Sequence, residues 1–140
     1  MPILNAESVD EIRVPIQRDI DIILARQKGR HLAAQLGFLG TEVTMIAAAI
    51  SELSRNILNY AKEGELILKK VQKSAQVGLV IQAIDQGPGI ADIEQALKDG
   101  FSTGHGLGLG LPGTRRLMDE FEIQSEVGKG TIVTVKKWVK

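Results

Sequence analysis

Two residues with the potential to do chemistry lie together on a segment with helical periodicity. Glu52 and Asn56 are four positions apart, so on a helix both side chains lie on one face. A carboxylate there can orient a hydroxyl group or accept its proton, and an amide oxygen one turn later can bind Mg²⁺. The same pair is also typical of a solvated helix face, so the spacing alone leaves both interpretations open.

A second candidate segment, Asp85-Gln86-Gly87-Pro88-Gly89, follows an apolar run that ends at Ile84. A carboxylate at the end of a strand can accept a hydrogen bond from the exocyclic amine of adenine, where guanine has a carbonyl group. Gly87 and Gly89 allow the backbone to turn tightly and to approach a base, and proline stiffens the loop. The segment is also a good turn without any ligand, and its composition does not separate the two interpretations.

A glycine-rich segment supplies a third candidate. Gly104, Gly106, Gly108 and Gly110 precede Pro112, a residue suited to the first turn of a helix. Free backbone amides at a helix start bind phosphate, assisted by the helix dipole. The intervening leucines and the following helix fit a flexible linker poorly. No P-loop motif occurs, and a dinucleotide-binding motif belongs near a first strand-to-helix turn, where this late segment does not lie, so neither of those sites is supported.

The fourth candidate is the predicted hairpin turn Gly128-Lys129-Gly130-Thr131. The hydroxyl group of Thr131 could reach a base or a bridging water. On its own the segment indicates only a hairpin.

The elements that position these residues follow from hydrophobic periodicity and from turn-forming residues. The strongest helical pattern begins at Thr41 and carries an apolar stripe as far as Ala61, with Gly64 as its expected stop. An earlier helix is expected from Asp19, as the cap, to Gly37. The remaining predicted elements are an edge strand over 9–18, strands over 65–72, 77–84, 123–127 and 131–139, and helices over 92–98 and 115–121.

The order of these elements predicts an α+β fold. Helices and strands are interleaved, with most strands after residue 64, which favours a two-layer sandwich with helices on one face of a mixed or antiparallel sheet. Its length of 140 residues, with no internal repeat or linker-like segment, predicts a single domain over residues 1–140.

Composition narrows the classes of function. The 17 basic residues balance the 17 acidic ones, so no overall positive field favours nucleic acid or an anionic membrane. Cysteine is absent and there are only two histidines, which excludes a disulfide framework, a cysteine nucleophile and a histidine-rich metal site. The start of the chain lacks a secretory signal, and its apolar runs are too short to cross a bilayer, so we expect a cytoplasmic protein.

In order, the four segments resemble the nucleotide-binding motifs of the GHKL ATPases and kinases, and the resemblance spans nearly the whole chain. It implies a Bergerat-type ATP-binding fold with ATP and Mg²⁺ as ligands. The roles it implies are Glu52 as the catalytic base or hydroxyl-orienting group, Asn56 as the Mg²⁺ ligand, and Asp85 as the adenine reader supported by Thr131. Gly87 and Gly89 would shape the base pocket, and Gly104, Gly106, Gly108 and Gly110 would belong to the phosphate lid.

Within that family, the segments Ser51–Asn56, 100–103 and Leu117–Phe121 resemble the small serine/threonine kinases of the bacterial stressosome. The resemblance implies phosphorylation of STAS-domain scaffold proteins and, on release, activation of a regulatory phosphatase. Histidine kinases often carry a basic residue where this chain has Asn59, and neither His31 nor His105 has a phosphoacceptor-like context. Two alternatives remain: a non-catalytic, nucleotide-dependent switch that sequesters a regulator, as anti-sigma factors do, and an unrelated α+β interaction domain.

Overall fold

The strands form one five-stranded sheet in the computed structural model, which describes residues 11–97 and 110–140. The strand order is β1-β2-β3-β5-β4, and every pairing in the described part of the chain is antiparallel. The predicted α+β class is confirmed, and the sheet is antiparallel rather than mixed. The elements are β1 (Glu11–Ile16), α1 (Asp19–Leu36), α2 (Gly40–Ala61), β2 (Gly64–Lys73), β3 (Gln76–Asp85), α3 (Ile93–Ala96), α4 (Gly110–Leu117), β4 (Glu120–Glu126) and β5 (Gly130–Trp138).

The core lies between the helices and one face of the sheet. On β3, Leu79, Ile81 and Ala83 are buried, and they alternate with less buried residues on the other face. The predicted apolar stripe of α2 meets this inner face through buried residues such as Ile50 and Leu53. Alternation of period two in the strands and a helical stripe therefore produce two layers around one core.

The helix predicted over 115–121 is wrong in its bounds, because α4 occupies Gly110–Leu117 and β4 begins at Glu120. Phe121 pairs with Val135 in the sheet instead of continuing the helix. Strand pairing prevails here because Phe121 and Ile123 alternate with polar residues and pack against the core. Lys137 donates from Nζ to the carbonyl oxygen of Leu117 at 2.9 Å, which stabilises the end of the helix.

Two predicted helix boundaries also require correction. Asp19 is not the cap of α1 but its first residue; Asp21 instead accepts hydrogen bonds at Oδ2 from the amides of Gln17, at 2.8 Å, and Arg18, at 3.0 Å. Helix α2 ends at Ala61, and Gly64, predicted to be its stop, is the first residue of β2. The predicted strands and the helix over 92–98 occur with shifted ends, and residue 98 lies outside the described residues.

The strand order brings distant segments to one end of the sheet. Asp85, the last residue of β3, pairs with Gly64 on one side and with Thr131 on the other. Because only two residues separate the end of α2 from β2, the last turns of α2 lie beside the end of β3. The sheet end, the end of α2 and the β4–β5 turn therefore surround a common space.

Candidate functional site

A cavity of about 340 Å³ occupies this common space. That volume is in the range of small-molecule sites, which are typically about 300–1,000 Å³. Its walls come from α2, the end of β3 and the loop after it, the start of α4, and β5. The lining residues include Glu52, Arg55, Asn56, Asn59, Tyr60, Asp85, Pro88, Gly89, Ile90, Asp92, Gly110 and Thr131.

The polar face of α2 points into this cavity. Glu52 and Asn56 both line it, and the side chain of Glu52 is only 11% exposed. Glu52 accepts hydrogen bonds at Oε1 from the Gly110 amide, at 3.1 Å, and at Oε2 from Nη1 of Arg55, at 2.6 Å. Glu52 therefore does not lie on a solvated helix face. Its carboxylate is held between two hydrogen-bond donors at the cavity wall.

The loop after β3 holds Asp85 at the cavity. Oδ1 of Asp85 accepts a hydrogen bond from the Gly87 amide at 2.9 Å, and the described residues place no hydrogen bond on its second carboxylate oxygen. The loop is packed so closely that a Cβ atom on Gly87 would lie 2.6 Å from Cβ of Ala61. Gly89 has φ of 80°, and a Cβ atom there would clash with the carbonyl oxygen of Glu126. Both glycines thus hold the loop between α2 and the β4–β5 turn.

Thr131 is buried on β5 and lines the cavity beside Asp85. Its Oγ1 lies 2.8 Å from Oγ of Ser125, which also accepts a hydrogen bond from the Ile90 amide at 2.7 Å. Ser125 further donates to the carbonyl oxygen of Gly130 at 3.0 Å. When Ser125 uses its one hydrogen in that way, Thr131 donates to Ser125 and keeps its lone pairs as acceptors toward the cavity.

Ser125 was missed by the sequence reasoning, although a signal for it exists. In the alternating segment Glu120–Glu126, Phe121 and Ile123 occupy the inward positions, and Ser125 is the next inward residue. A hydroxyl group on the apolar side of a strand needs a partner or a ligand. Arg55 was also missed, and its signal is its position one helical turn after Glu52.

Only part of the glycine-rich segment is described. Gly110 is the first residue of α4, lines the cavity, and donates to Glu52. Pro112 lies in the first turn of this helix, as predicted from its fit to that position. The other predicted lid glycines, Gly104, Gly106 and Gly108, lie outside the described residues.

The oxygen atoms at the cavity wall suit a Mg²⁺ ion that is held mainly by phosphate groups. Asn56 provides an amide oxygen on the α2 wall beside the carboxylate of Glu52, and the carboxylate of Asp85 lies on the β3 wall of the same cavity. Over residues 11–97 and 110–140, no three His, Cys, Asp or Glu side chains cluster so as to hold a metal by themselves. Because Mg²⁺ typically keeps several waters and uses one or two protein oxygens with substrate phosphates, a lone amide ligand is compatible with this ion.

No helix in the described part of the chain combines the length and apolar character needed to cross a membrane.

Known proteins resemble this chain over most of its length. The chain is 48% identical to serine/threonine-protein kinase RsbT of Bacillus subtilis over 94% of its own length and 98% of that protein. It is 32% identical to an anti-sigma F factor of Caldanaerobacter subterraneus over 82% of this chain and 83% of that one. A structure of the RsbU and RsbW domains of a Mycobacterium tuberculosis protein matches 91% of this chain and 32% of that one, with a TM-score of 0.62 and 18% identity, which shows a shared fold.

The family match removes one of the alternatives left open by the sequence. Residues 41–140 match the family described as histidine kinase-, DNA gyrase B- and HSP90-like ATPase. That range contains α2 from its second residue, the Asp85 loop, Gly110 and Thr131, and so includes every described wall of the cavity. An unrelated interaction domain is therefore excluded, and the chain belongs to this ATPase family, the GHKL family that its motifs resemble.

Proposed function

We propose that this chain is an ATP-dependent serine/threonine protein kinase that phosphorylates STAS-domain scaffold proteins of a stress-signalling complex. The observation that carries the proposal is the meeting of Glu52, Asn56 and Asp85 at one cavity, although they come from separate segments. Their meeting in a chain 48% identical to a serine/threonine-protein kinase favours transfer of phosphate over binding alone. When released from the scaffold, the kinase activates a downstream regulatory phosphatase by partner switching in the cytoplasm.

ATP binds in this proposal with its adenine at the end of β3. The free carboxylate oxygen of Asp85 accepts a hydrogen bond from the exocyclic amine, with Thr131 as a supporting acceptor. Gly87 and Gly89 keep the loop close to the base. The phosphates lie toward the amide of Gly110, because amides at a helix start favour anions, and Gly104, Gly106 and Gly108 are proposed to belong to the same phosphate lid.

Phosphoryl transfer needs positioning and charge stabilisation more than covalent help from the protein. A serine or threonine hydroxyl oxygen of the scaffold forms a bond to the γ-phosphorus while the bond from that phosphorus to the β,γ-bridging oxygen breaks. Glu52 accepts the hydroxyl proton and ADP leaves with the bridging oxygen. Asn56 would hold Mg²⁺ through its amide oxygen, and the ion would supply charge neutralisation at the phosphates.

Incubation of the chain with ATP, Mg²⁺ and purified STAS-domain proteins, followed by mass spectrometry, tests the proposal. Wild type is expected to add one phosphate per modified serine or threonine. Glu52→Ala should lower the transfer rate by roughly 10²- to 10⁴-fold, the usual contribution of a general base, while ATP binding is retained. Glu63→Ala, which removes an exposed carboxylate just beyond α2, is the matched control and should leave the rate unchanged. If no phosphate is transferred to any STAS-domain protein, the proposed kinase function is refuted.

The second candidate is a non-catalytic switch in which nucleotide binding shapes a surface that sequesters a regulator. The 32% identity to an anti-sigma F factor favours its consideration. In such a switch, calorimetry would show partner affinity changing between ATP and ADP, and no phosphate would appear on the partner. The two candidates are thus separated by the same samples.

A further inference from the structure

Arg55 is a charged residue of the cavity to which the sequence motifs assign no role. It follows Glu52 by one helical turn on α2, and both side chains line the cavity. Nη1 of Arg55 lies 2.6 Å from Oε2 of Glu52. The side chain of Arg55 is 42% exposed whereas that of Glu52 is 11% exposed, so the arginine forms the outer member of the ion pair.

The second hydrogen bond to the Glu52 carboxylate comes from another element of the structure. Oε1 of Glu52 accepts the hydrogen bond from the amide of Gly110, the first residue of α4. Each carboxylate oxygen has two lone pairs, so both oxygens are held while each keeps an acceptor position. The carboxylate is thus oriented from two sides and remains able to accept a proton.

The two hydrogen-bond donors to Glu52 differ in whether a phosphate group competes for them. The Gly110 amide lies at a helix start, where backbone amides and the helix dipole attract phosphate. In the ATP complex proposed above, the phosphates and Glu52 therefore compete for the Gly110 amide. The Arg55 guanidinium has five donors, of which one is shown on Glu52, so it can keep this contact while its other donors meet water or phosphate.

We propose that Arg55 is the positioning residue that keeps the Glu52 carboxylate oriented after ATP has displaced it from the Gly110 amide. The inference rests on the proposed kinase function. Arg55 acts through Glu52 and not as an acid or base itself. Lysine at this position would supply the charge but not the planar set of donors, so it would restore orientation only in part.

Steady-state kinetics with saturating scaffold protein tests this role. Arg55→Gln should lower kcat by roughly 10- to 100-fold, the effect of a small misplacement of a reacting group, while the Kd for ATP changes less than about 2-fold. Arg55→Lys should lie between wild type and Arg55→Gln. Arg26→Gln, an exposed arginine on α1 that does not line the cavity, is the matched control and should behave as wild type.

A double-mutant cycle separates positioning from a general structural effect. If Arg55 acts through Glu52, Arg55→Gln should have no further effect on the rate in the Glu52→Gln background. An equal fold loss with and without Glu52 would overturn the inference, as would an unchanged kcat or a rise in the ATP Kd that accounts for the whole loss. Circular dichroism and thermal unfolding verify that each variant is folded.

An NMR experiment reads the same contact without activity. The Gly110 amide resonance should shift when a non-hydrolysable ATP analogue with Mg²⁺ is added, and the Glu52 carboxyl carbon in that complex should respond to Arg55→Gln but not to Arg26→Gln. A Glu52 signal insensitive to Arg55 would refute the positioning role even in an active kinase. If wild type transfers no phosphate yet the Glu52 signal responds, the kinase proposal fails while the Arg55–Glu52 contact is supported.

Discussion

The two sides of helix α2 are built on the same backbone but do different work. One side carries Ile46 and Ile50, buried in the core, and Leu53 and Ile57, which are buried too but also line the cavity. The other side carries Glu52, Arg55 and Asn56 along the cavity wall. The apolar side packs into the core cluster, whereas the polar side faces the loop after β3 and the start of α4 across the cavity. Stability and function are therefore expected to respond to different substitutions on one helix.

Ile50→Ala should give the largest effect and should confine it to stability. The side chain is fully buried, so truncation removes apolar contacts and leaves a cavity, at a cost of about 2–5 kcal/mol of unfolding free energy. Urea unfolding measures the change, and ATP affinity of the folded variant should stay at the wild-type level. Ile23→Ala, at a site 49% exposed, is the control and should change stability by less than about 0.5 kcal/mol. A large loss of ATP affinity in folded Ile50→Ala would show that the two sides are not separable.

Asp85→Asn should give the opposite pattern, with weaker ATP binding and little change in stability. The amide oxygen of asparagine can still accept from Gly87, but this turns the NH₂ group toward the adenine amine, so donor meets donor. Loss of a hydrogen bond to a charged group costs about 1.5–3 kcal/mol, which raises the ATP Kd by roughly 10- to 150-fold. Isothermal titration calorimetry measures the Kd for ATP. Asp19→Asn, which changes an exposed carboxylate, is the control and should bind ATP as wild type does. Equal affinity in wild type and Asp85→Asn would contradict the adenine site.

Ser54→Ala should produce a small gain in stability on the packed side of the same helix. Ser54 is fully buried, and its Oγ has no hydrogen-bond partner among the described residues. Removing an unpaired buried hydroxyl group relieves its desolvation cost. We therefore expect the free energy of unfolding, measured by urea unfolding, to rise by up to about 1 kcal/mol. Ser51→Ala is the control, because Oγ of Ser51 donates to the carbonyl oxygen of Ala47 at 3.1 Å. A destabilised Ser54→Ala variant would indicate that this hydroxyl group contributes to packing.

Asp21→Asn should mainly change how the stability of the protein depends on pH in the acid range. Hydrogen bonds from the backbone amides, chiefly that of Gln17, hold the pKa of Asp21 below its usual 3.8. A group whose pKa is lowered by folding contributes stability above its unfolded pKa and loses that contribution as pH falls through the folded value. The Tm, measured by thermal unfolding from pH 5 to pH 2, should therefore decline less steeply in Asp21→Asn than in wild type. Parallel declines would show that Asp21 does not contribute.

Much of this fold follows from local pattern, and the errors have identifiable causes. The long amphipathic helix and the strands were predicted because their apolar periods of 3.6 and 2 are unmixed. The helix predicted as far as Phe121 was wrong because a short apolar segment fits either period, and pairing with β5 decided between them. The cap of α1 was wrong because Asp19 and Asp21 are both suitable acceptors in sequence, and only the backbone path selects Asp21.

The candidate site divides in the same way. Glu52, Asn56, Asp85 and Thr131 were chosen from residue type and spacing, and their meeting at one cavity agrees with that choice, although their individual roles stay predictions. Ser125 and Arg55 were missed because neither belongs to a recognised motif, although strand alternation and helical spacing were available as signals.

By itself, the sequence determined the class of elements, the apolar side of each, and the residue types available for nucleotide chemistry, since these depend on side chains a few positions apart. Only the tertiary structure decided that Asp85 lies between Gly64 and Thr131, and that Glu52 meets Gly110 across 58 positions of chain. The physical reason is that sheet order and helix docking are set by burial of the common core, a sum over many distant contacts that no local segment encodes.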